Sequence, residues 1–338
     1  MEQLKLSLQF LLTLHLLASG AVSTTTFTVV NKCDYSVWPG ILSNAGIAAL
    51  PTTGFLLQTG ESKTVTAPTS WGGRLWGRTL CSQDSAGKFF CLTGDCGSGT
   101  IECEGKGAVP PATLAEFTLD GDGGLDFFDV SLVDGYNVPM LVTPRGGSGD
   151  NCTSTGCVGD LNGACPSELR VTSEDGKQSV ACKSACEAFG SPQYCCKGAY
   201  GSPNTCKPTA YSRIFKNACP RAYSYAYDDR TSTFTCGHSA DYTITFCPSP
   251  KDNPSQKSWQ GQNPKSDSSN EGQNPKSDSS SNCSSSSSES PPVNNGTMVY
   301  MDESEFSWSV GTHVTVKESQ AIAGFVSITI ALWLLCNL

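Results

Sequence analysis

Sixteen of the 18 cysteines fall between Cys33 and Cys247, and no other feature limits the folds open to this chain so strongly. An even, dense set of cysteines in a secreted chain reads as a disulfide framework. Secretion is predicted from the N-terminus: Lys5 supplies a basic start, Leu4 to Leu17 an apolar run, and Ala21-Val22-Ser23 the small residues of a cleavage site. Residues 1–23 are therefore expected to be a signal peptide cut after Ser23. The competing use of the cysteines is zinc, since Cys195-Cys196 and the Cys182/Cys186 pair bring thiols close together. An oxidising compartment and the lack of paired C-x-x-C spacing argue against it. No metal and no cofactor is expected.

The other two cysteines lie in a different kind of sequence. Beyond Pro248 large apolar residues nearly vanish, and residues 249–308 are rich in serine, asparagine and proline. Such a segment buries too little apolar surface to offset its ordering entropy, and reads as a disordered stalk. Within it GQNPKSDSS occurs at Gly261 to Ser269 and again at Gly272 to Ser280, a short duplication of spacer. Sequons place candidate glycans at Asn151, Asn282 and Asn295. Cys283 is left over, to cross-link two chains or to stay capped or free. Residues 309–338 end in the uncharged run Ala321 to Leu338, long enough to span a bilayer. With no basic flank after it, this tail fits a glycolipid-anchor signal, with Ser307, Ser309 or Gly311 as cleavage candidates; a retained transmembrane segment is the second reading.

Residues 24–248 remain as the folded unit. Apolar or alternating runs at Phe27 to Val30, Lys63 to Thr66, Leu114 to Leu119, Leu125 to Val133 and Tyr242 to Phe246 predict strands between Gly, Pro and Asp clusters. One helix is predicted, from about Val180 to Phe189. The pattern is that of a mainly β chain, a β-sandwich with a cysteine-rich, loop-heavy appendage.

Several motifs in this unit resemble one family. Gly87-Lys-Phe-Phe-Cys91-Leu-Thr-Gly-Asp-Cys96, followed by Gly99 and Cys103, is similar to the thaumatin signature. Asn31-Lys-Cys33 with Trp38, Trp76-Gly-Arg-Thr, Thr113-Leu-Ala-Glu-Phe117, Asp126-Phe-Phe-Asp-Val-Ser131, Gly135-Tyr-Asn-Val-Pro-Met140, Tyr194-Cys-Cys196 and Ser232-Thr-Phe-Thr-Cys236 extend the resemblance across the whole unit. The resemblance to thaumatin-like, pathogenesis-related proteins implies a flattened β-sandwich, a disulfide-rich second lobe at about 159–219 and a small loop lobe at about 79–109. A cleft would separate the first two. It also implies a pairing that spacing alone leaves open: Cys33-Cys247, Cys81-Cys91, Cys96-Cys103, Cys152-Cys236, Cys157-Cys219, Cys165-Cys182, Cys186-Cys195 and Cys196-Cys206.

Charge narrows the ligand class. The folded unit holds 21 acidic and 16 basic residues, and Glu102 to Asp134 alone contains eight acids against Lys106. That balance argues against nucleic acid or other polyanions as ligands and suits neutral sugars or cationic partners. Most of the acids have ordinary readings: Asp120 and Asp122 sit in an Asp-Gly-Asp-Gly-Gly turn, Asp134-Gly135 is turn-like, and Asp126 reads as a solvated strand residue. By resemblance, however, Arg74, Glu116, Asp129, Asp134 and one of Asp228 and Asp229 match the cleft residues of glucan-directed family members. Strand geometry puts Asp126 and Asp129 on opposite faces, and lets Asp129 and Asp134 share a cleft only through the turn between them. As a glycosidase, Glu116 would be the general acid, with its pKa raised by neighbouring carboxylates, and Asp134 or Asp129 the base or nucleophile. Arg74 would hold an aspartate ionised or orient hydroxyls.

Nucleophilic triads fail on inventory, since His238 is the unit's lone histidine and reads as a loop residue. Tyr223, Tyr225 and Tyr227 would share one face of an extended segment, most simply as packing. The expected partners are β-1,3-glucan or another wall polysaccharide and, through the tail, a membrane; a monomer is expected. Two functions stand: a secreted, cell-surface defence protein binding β-1,3-glucan with weak or no endo-β-1,3-glucanase turnover, or a non-catalytic wall-to-membrane adhesion or receptor-like protein.

Overall fold

The computed structural model describes residues 24–237, 240–249 and 252, all within the first of two compact units, Met1–Pro291. The expected signal peptide, His238, the stalk with Cys283, Asn282 and Asn295, and the C-terminal tail lie outside the described residues. Along the chain come strands β1 (Thr24–Asn31), β2 (Trp38–Ser43), β3 (Ser62–Pro68), β4 (Gly72–Gln83), β5 (Phe89–Thr93), β6 (Leu114–Thr118) and β7 (Asp126–Ser131). They are followed by β8 (Met140–Arg145), β9 (Thr155–Cys157), β10 (Arg170–Thr172) and β11 (Ser179–Cys182). Short helices α1 (Ala185–Phe189), α2 (Pro192–Cys195), α3 (Ala210–Ala218) and α4 (Asp229–Ser232) precede β12 (Phe234–Cys236) and β13 (Asp241–Phe246).

Two sheets make the sandwich. One has the order β3-β1-β13-β8-β9, and the other β12-β7-β6-β4-β2 with β5 added on β4. Period-two burial explains the pairing of faces: β1 turns Phe27 and Val29 inward, and β7 turns Phe128 and Val130 inward. These meet Phe117 and Tyr242 in an aromatic cluster, with Phe27 to Phe117 at 4.7 Å and Phe117 to Tyr242 at 5.1 Å between ring centroids. The sandwich is thus the fold expected from the strand pattern.

Three local expectations are corrected. The helix proposed from Val180 is split, because Ser179–Cys182 pairs with β10 and only Ala185–Phe189 is helical, capped by Ser184 accepting from the Glu187 N–H. Residues 223–227 are not a strand but a turn-rich loop, so the three tyrosines do not form a stripe; Tyr223 is buried and the other two are half-buried. Asp126 is not solvated. It faces the core, where the Tyr242 hydroxyl donates to it at 2.8 Å and the Asp120 N–H at 3.0 Å, and burial raises its carboxyl pKa.

The structure joins Cys33–Cys247, Cys81–Cys91, Cys96–Cys103, Cys152–Cys236, Cys157–Cys219, Cys165–Cys182, Cys186–Cys195 and Cys196–Cys206. These are the pairs the family resemblance implies. A second apolar cluster of Leu42, Trp76, Cys96, Cys103, Ala112 and Leu114 lies on the outer face of the β2-β4-β6 region, under the small loop lobe. Arg78, fully buried, fastens that lobe to the sheet by donating to the carbonyls of Trp38 at 2.9 Å, Pro39 at 3.1 Å and Ile101 at 2.6 Å. Its burial pushes the guanidinium pKa down to about 10, opposed by Asp95 and Glu102.

Candidate functional site

Strand register builds the site. Arg74 on β4 lies directly opposite Glu116 on β6, and Glu116 directly opposite Asp129 on β7. Directly opposed residues project to the same side of a sheet, so one cation and two acids form a row across three strands on the outer face. The neighbouring row, Gly40, Trp76, Leu114 and Ser131, is largely apolar and covered by the small lobe. The acid row therefore begins where that cover ends. Arg74 and Glu116 are half-buried, whereas Asp129 has no exposed surface.

Asp129 is the most perturbed member. Neither of its oxygens has a hydrogen-bond partner among the described residues. Burial, then the charges of Glu116 and Asp229, raise its carboxyl pKa well above the ordinary range. It is the fully buried end of the row, whereas Arg74 and Glu116 keep some exposed surface. The Arg74 Nε likewise finds no hydrogen-bond partner among the described residues.

The loop at residues 222–232 separates the two candidate aspartates. Asp228 accepts from the Ser224 N–H at 3.1 Å and hydroxyl at 2.9 Å, and pairs with Lys216 of α3 at 2.9 Å. The same ammonium donates to Ser232 at 2.8 Å and to the Ala222 carbonyl at 3.1 Å, so it pins both ends of the loop. Burial lowers the Lys216 pKa, with Asp228 opposing. Asp229 instead accepts from the Tyr223 hydroxyl at 2.8 Å and adds its charge to Asp129. Of the two, Asp229 belongs with the row and Asp228 with the loop's anchorage.

Asp134 lies across the Leu132–Gly135 turn, which is closed by the Gly135 N–H donating to the Leu132 carbonyl at 3.0 Å. It acts electrostatically on Glu187 of α1, whose pKa is raised by burial first and by Asp134 last, against Lys183. The carboxylates acting on Asp129 are Glu116 and Asp229. Beside this turn, a pocket lined by Val133, Ser184, Gln193, Tyr194, Lys207 and Tyr225 runs between the second lobe and the loop.

The Thaumatin family pattern matches residues 31–248, the span that holds the whole row and all eight disulfides. The chain belongs to the thaumatin family. It is 60% identical over 251 residues to Thaumatin-like protein 1 of Arabidopsis thaliana, covering 72% of this chain and 93% of that one. It is 53% identical over 237 residues to a protein of Prunus avium named Glucan endo-1,3-beta-glucosidase, covering 70% and 96%. Identity to the PR5-like receptor kinase of Arabidopsis thaliana is 54% over 259 residues, 76% of this chain but 39% of the kinase. Its relatives include Pathogenesis-related thaumatin-like protein 3.5 of Cryptomeria japonica, 58% identical over 234 residues, 69% of this chain and 94% of that one. Within this thaumatin-like site, Tyr223 and Lys216 had no functional signal in the sequence. The alternation of tyrosines indicated packing, and nothing local indicated that one hydroxyl would hold Asp229.

Proposed function

We propose that this chain is a secreted, surface-held defence protein that binds β-1,3-glucan over the acidic row, with weak endo-β-1,3-glucanase turnover. The observation that carries this reading is the cross-strand alignment of Arg74, Glu116 and Asp129, joined from the loop by Asp229. Its similarity to a relative named for glucan endo-hydrolysis supports the same ligand class. Glu116, half-buried, is the carboxyl able to meet a glycosidic oxygen and give it a proton. Asp129, whose burial beside Glu116 and Asp229 raises its pKa, is not the base, and Asp134 or Asp229 would take the proton of the attacking water. Arg74 orients the ring hydroxyls or the carboxylates.

The test is pull-down on insoluble β-1,3-glucan together with release of soluble oligosaccharide. Wild type should do both, and Glu116→Gln should still bind while losing release by about a hundredfold or more. Absence of pull-down rejects the reading; release that survives Glu116→Gln removes Glu116 from the chemistry.

The relation to a receptor kinase supports a second reading, a non-catalytic link between wall and membrane carried by the stalk and tail. Phosphoinositide-specific phospholipase C applied to intact cells should then free the protein. Retention on the cells would replace the glycolipid anchor with a membrane span.

A further inference from the structure

The chain is acidic overall, yet one groove of about 340 Å³ presents two arginines and no carboxylate among its lining residues. It lies between Asn151 and residues 220–234, and Arg221, Arg230, Thr231, Thr233 and Phe234 line it. Arg221 is held rather than floppy. Its Nε donates to the Ser154 carbonyl at 2.9 Å, one terminal nitrogen donates to the Thr153 hydroxyl, and the guanidinium lies 4.3 Å over the Phe234 ring. The other terminal nitrogen has no partner among the described residues. Arg230 is exposed and makes no hydrogen bond or ion pair among them, because its neighbour Asp229 is turned to Tyr223.

We propose that this groove is a second saccharide site, distinct from the acid row, that takes the carboxylate of a hexuronate residue in an acidic polysaccharide. A fixed planar guanidinium with an unused edge is pre-organised for a carboxylate, and a second, exposed arginine, Arg230, lines the same groove. The volume falls in the range of ligand pockets, about 300–1,000 Å³. Asn151, Thr231 and Thr233 add neutral polar groups beside the arginines: the Asn151 amide donates to the Thr233 carbonyl at 3.1 Å, the Thr231 hydroxyl to Asp228 at 3.5 Å, and the Thr233 hydroxyl pairs with that of Tyr223, which leaves oxygen lone pairs to accept from sugar hydroxyls. The site does not depend on the glucan reading, since none of its lining residues belongs to the row.

The test is calorimetric titration of the full-length, folded protein with trigalacturonate and with its fully methyl-esterified form. The acid should bind saturably and the ester should not. Arg230→Gln, which removes a guanidinium with no hydrogen bond or ion pair among the described residues, should weaken the acid roughly tenfold or more, as for one charge-assisted hydrogen bond, and leave glucan pull-down unchanged. Equal binding of acid and ester, or an unaltered Arg230→Gln variant, overturns the proposal. So does inorganic phosphate binding with the same Arg230 dependence, which marks a general oxyanion site. Binding that emerges only after endoglycosidase trimming of an Asn151 glycan also overturns it, by making the groove that glycan's seat.

Discussion

A carboxyl without exposed surface and without a hydrogen-bond partner is an unusual residue to keep in a sheet, and Asp129 is one. Its folded pKa is raised above that of the unfolded chain, so the folded state binds the extra proton. Stability from this group is then fully present below the ordinary aspartate range and is lost as pH rises through that range toward the raised folded value. Asp129→Asn keeps the shape and removes the titration. Its unfolding free energy, followed by denaturant melts across pH, should be flatter than wild type and, because the folded state no longer has to hold a proton there, higher at neutral pH. A variant with the wild-type pH slope would remove Asp129 from the protonic coupling in the row. Some of this residue-scale picture is legible in the sequence: the motif around Asp126 to Ser131 picks out Asp129, and strand alternation sets it opposite to Asp126. Its complete burial is not legible, because that depends on what Tyr223 and Asp229 do from a loop remote in sequence.

Among the elements, β4 carries the most and was the least visible. It is not among the runs that predict strands, since Gly72, Gly73 and Gly77 interrupt its apolar pattern, yet it spans Gly72–Gln83 and is the partner of β2, β5 and β6. Its glycines answer close approaches rather than turns: a Cβ on Gly73 would lie 2.3 Å from the Leu42 carbonyl oxygen. Helix α3 is not legible for another reason, since nine residues are too few to establish a 3.6-residue period. Its start is fixed by a reciprocal capping box between Thr209 and Ser212. The row beside the site rests on a similar steric fit, because the Trp76 indole lies across Gly40 and donates to the Gly94 carbonyl at 2.8 Å. A Cβ on Gly40 would meet that ring at 2.4 Å. Trp76 is fully buried and has no free side to move toward, so Gly40→Ala should cost about 1–3 kcal/mol by overpacking. It should also weaken glucan pull-down, because Trp76 lies on the same face as Arg74, two residues away. Full stability in a thermal melt would show that the small lobe gives way instead.

At the scale of the molecule, the two chain ends of the sandwich are neighbours. β1 and β13 pair in parallel up to Asn31 opposite Phe246, and Cys33 and Cys247 join just past that last rung. The bridge closes a separation of 214 residues, whereas Cys96–Cys103 closes 7. In the chain-entropy account the long loop contributes about 5 kcal/mol and the short one about 2 kcal/mol, by restricting the unfolded chain. A domain of this size shifts by roughly 2–4 °C per kcal/mol, so replacing Cys33 and Cys247 together by serine should lower Tm by about 10–20 °C. The same change at Cys96 and Cys103 should lower it less through the unfolded chain, although Cys96 and Cys103 also pack against Trp76 and Leu114. Scanning calorimetry of the two double variants, each beside wild type with and without reductant, separates the contributions. If loop length governs, the Cys33 and Cys247 variant falls further and full reduction collapses the remaining transition. If the two variants fall equally, packing of the half-cystines outweighs loop closure, and an unchanged midpoint under reductant would mean that the two sheets hold the fold without their staples.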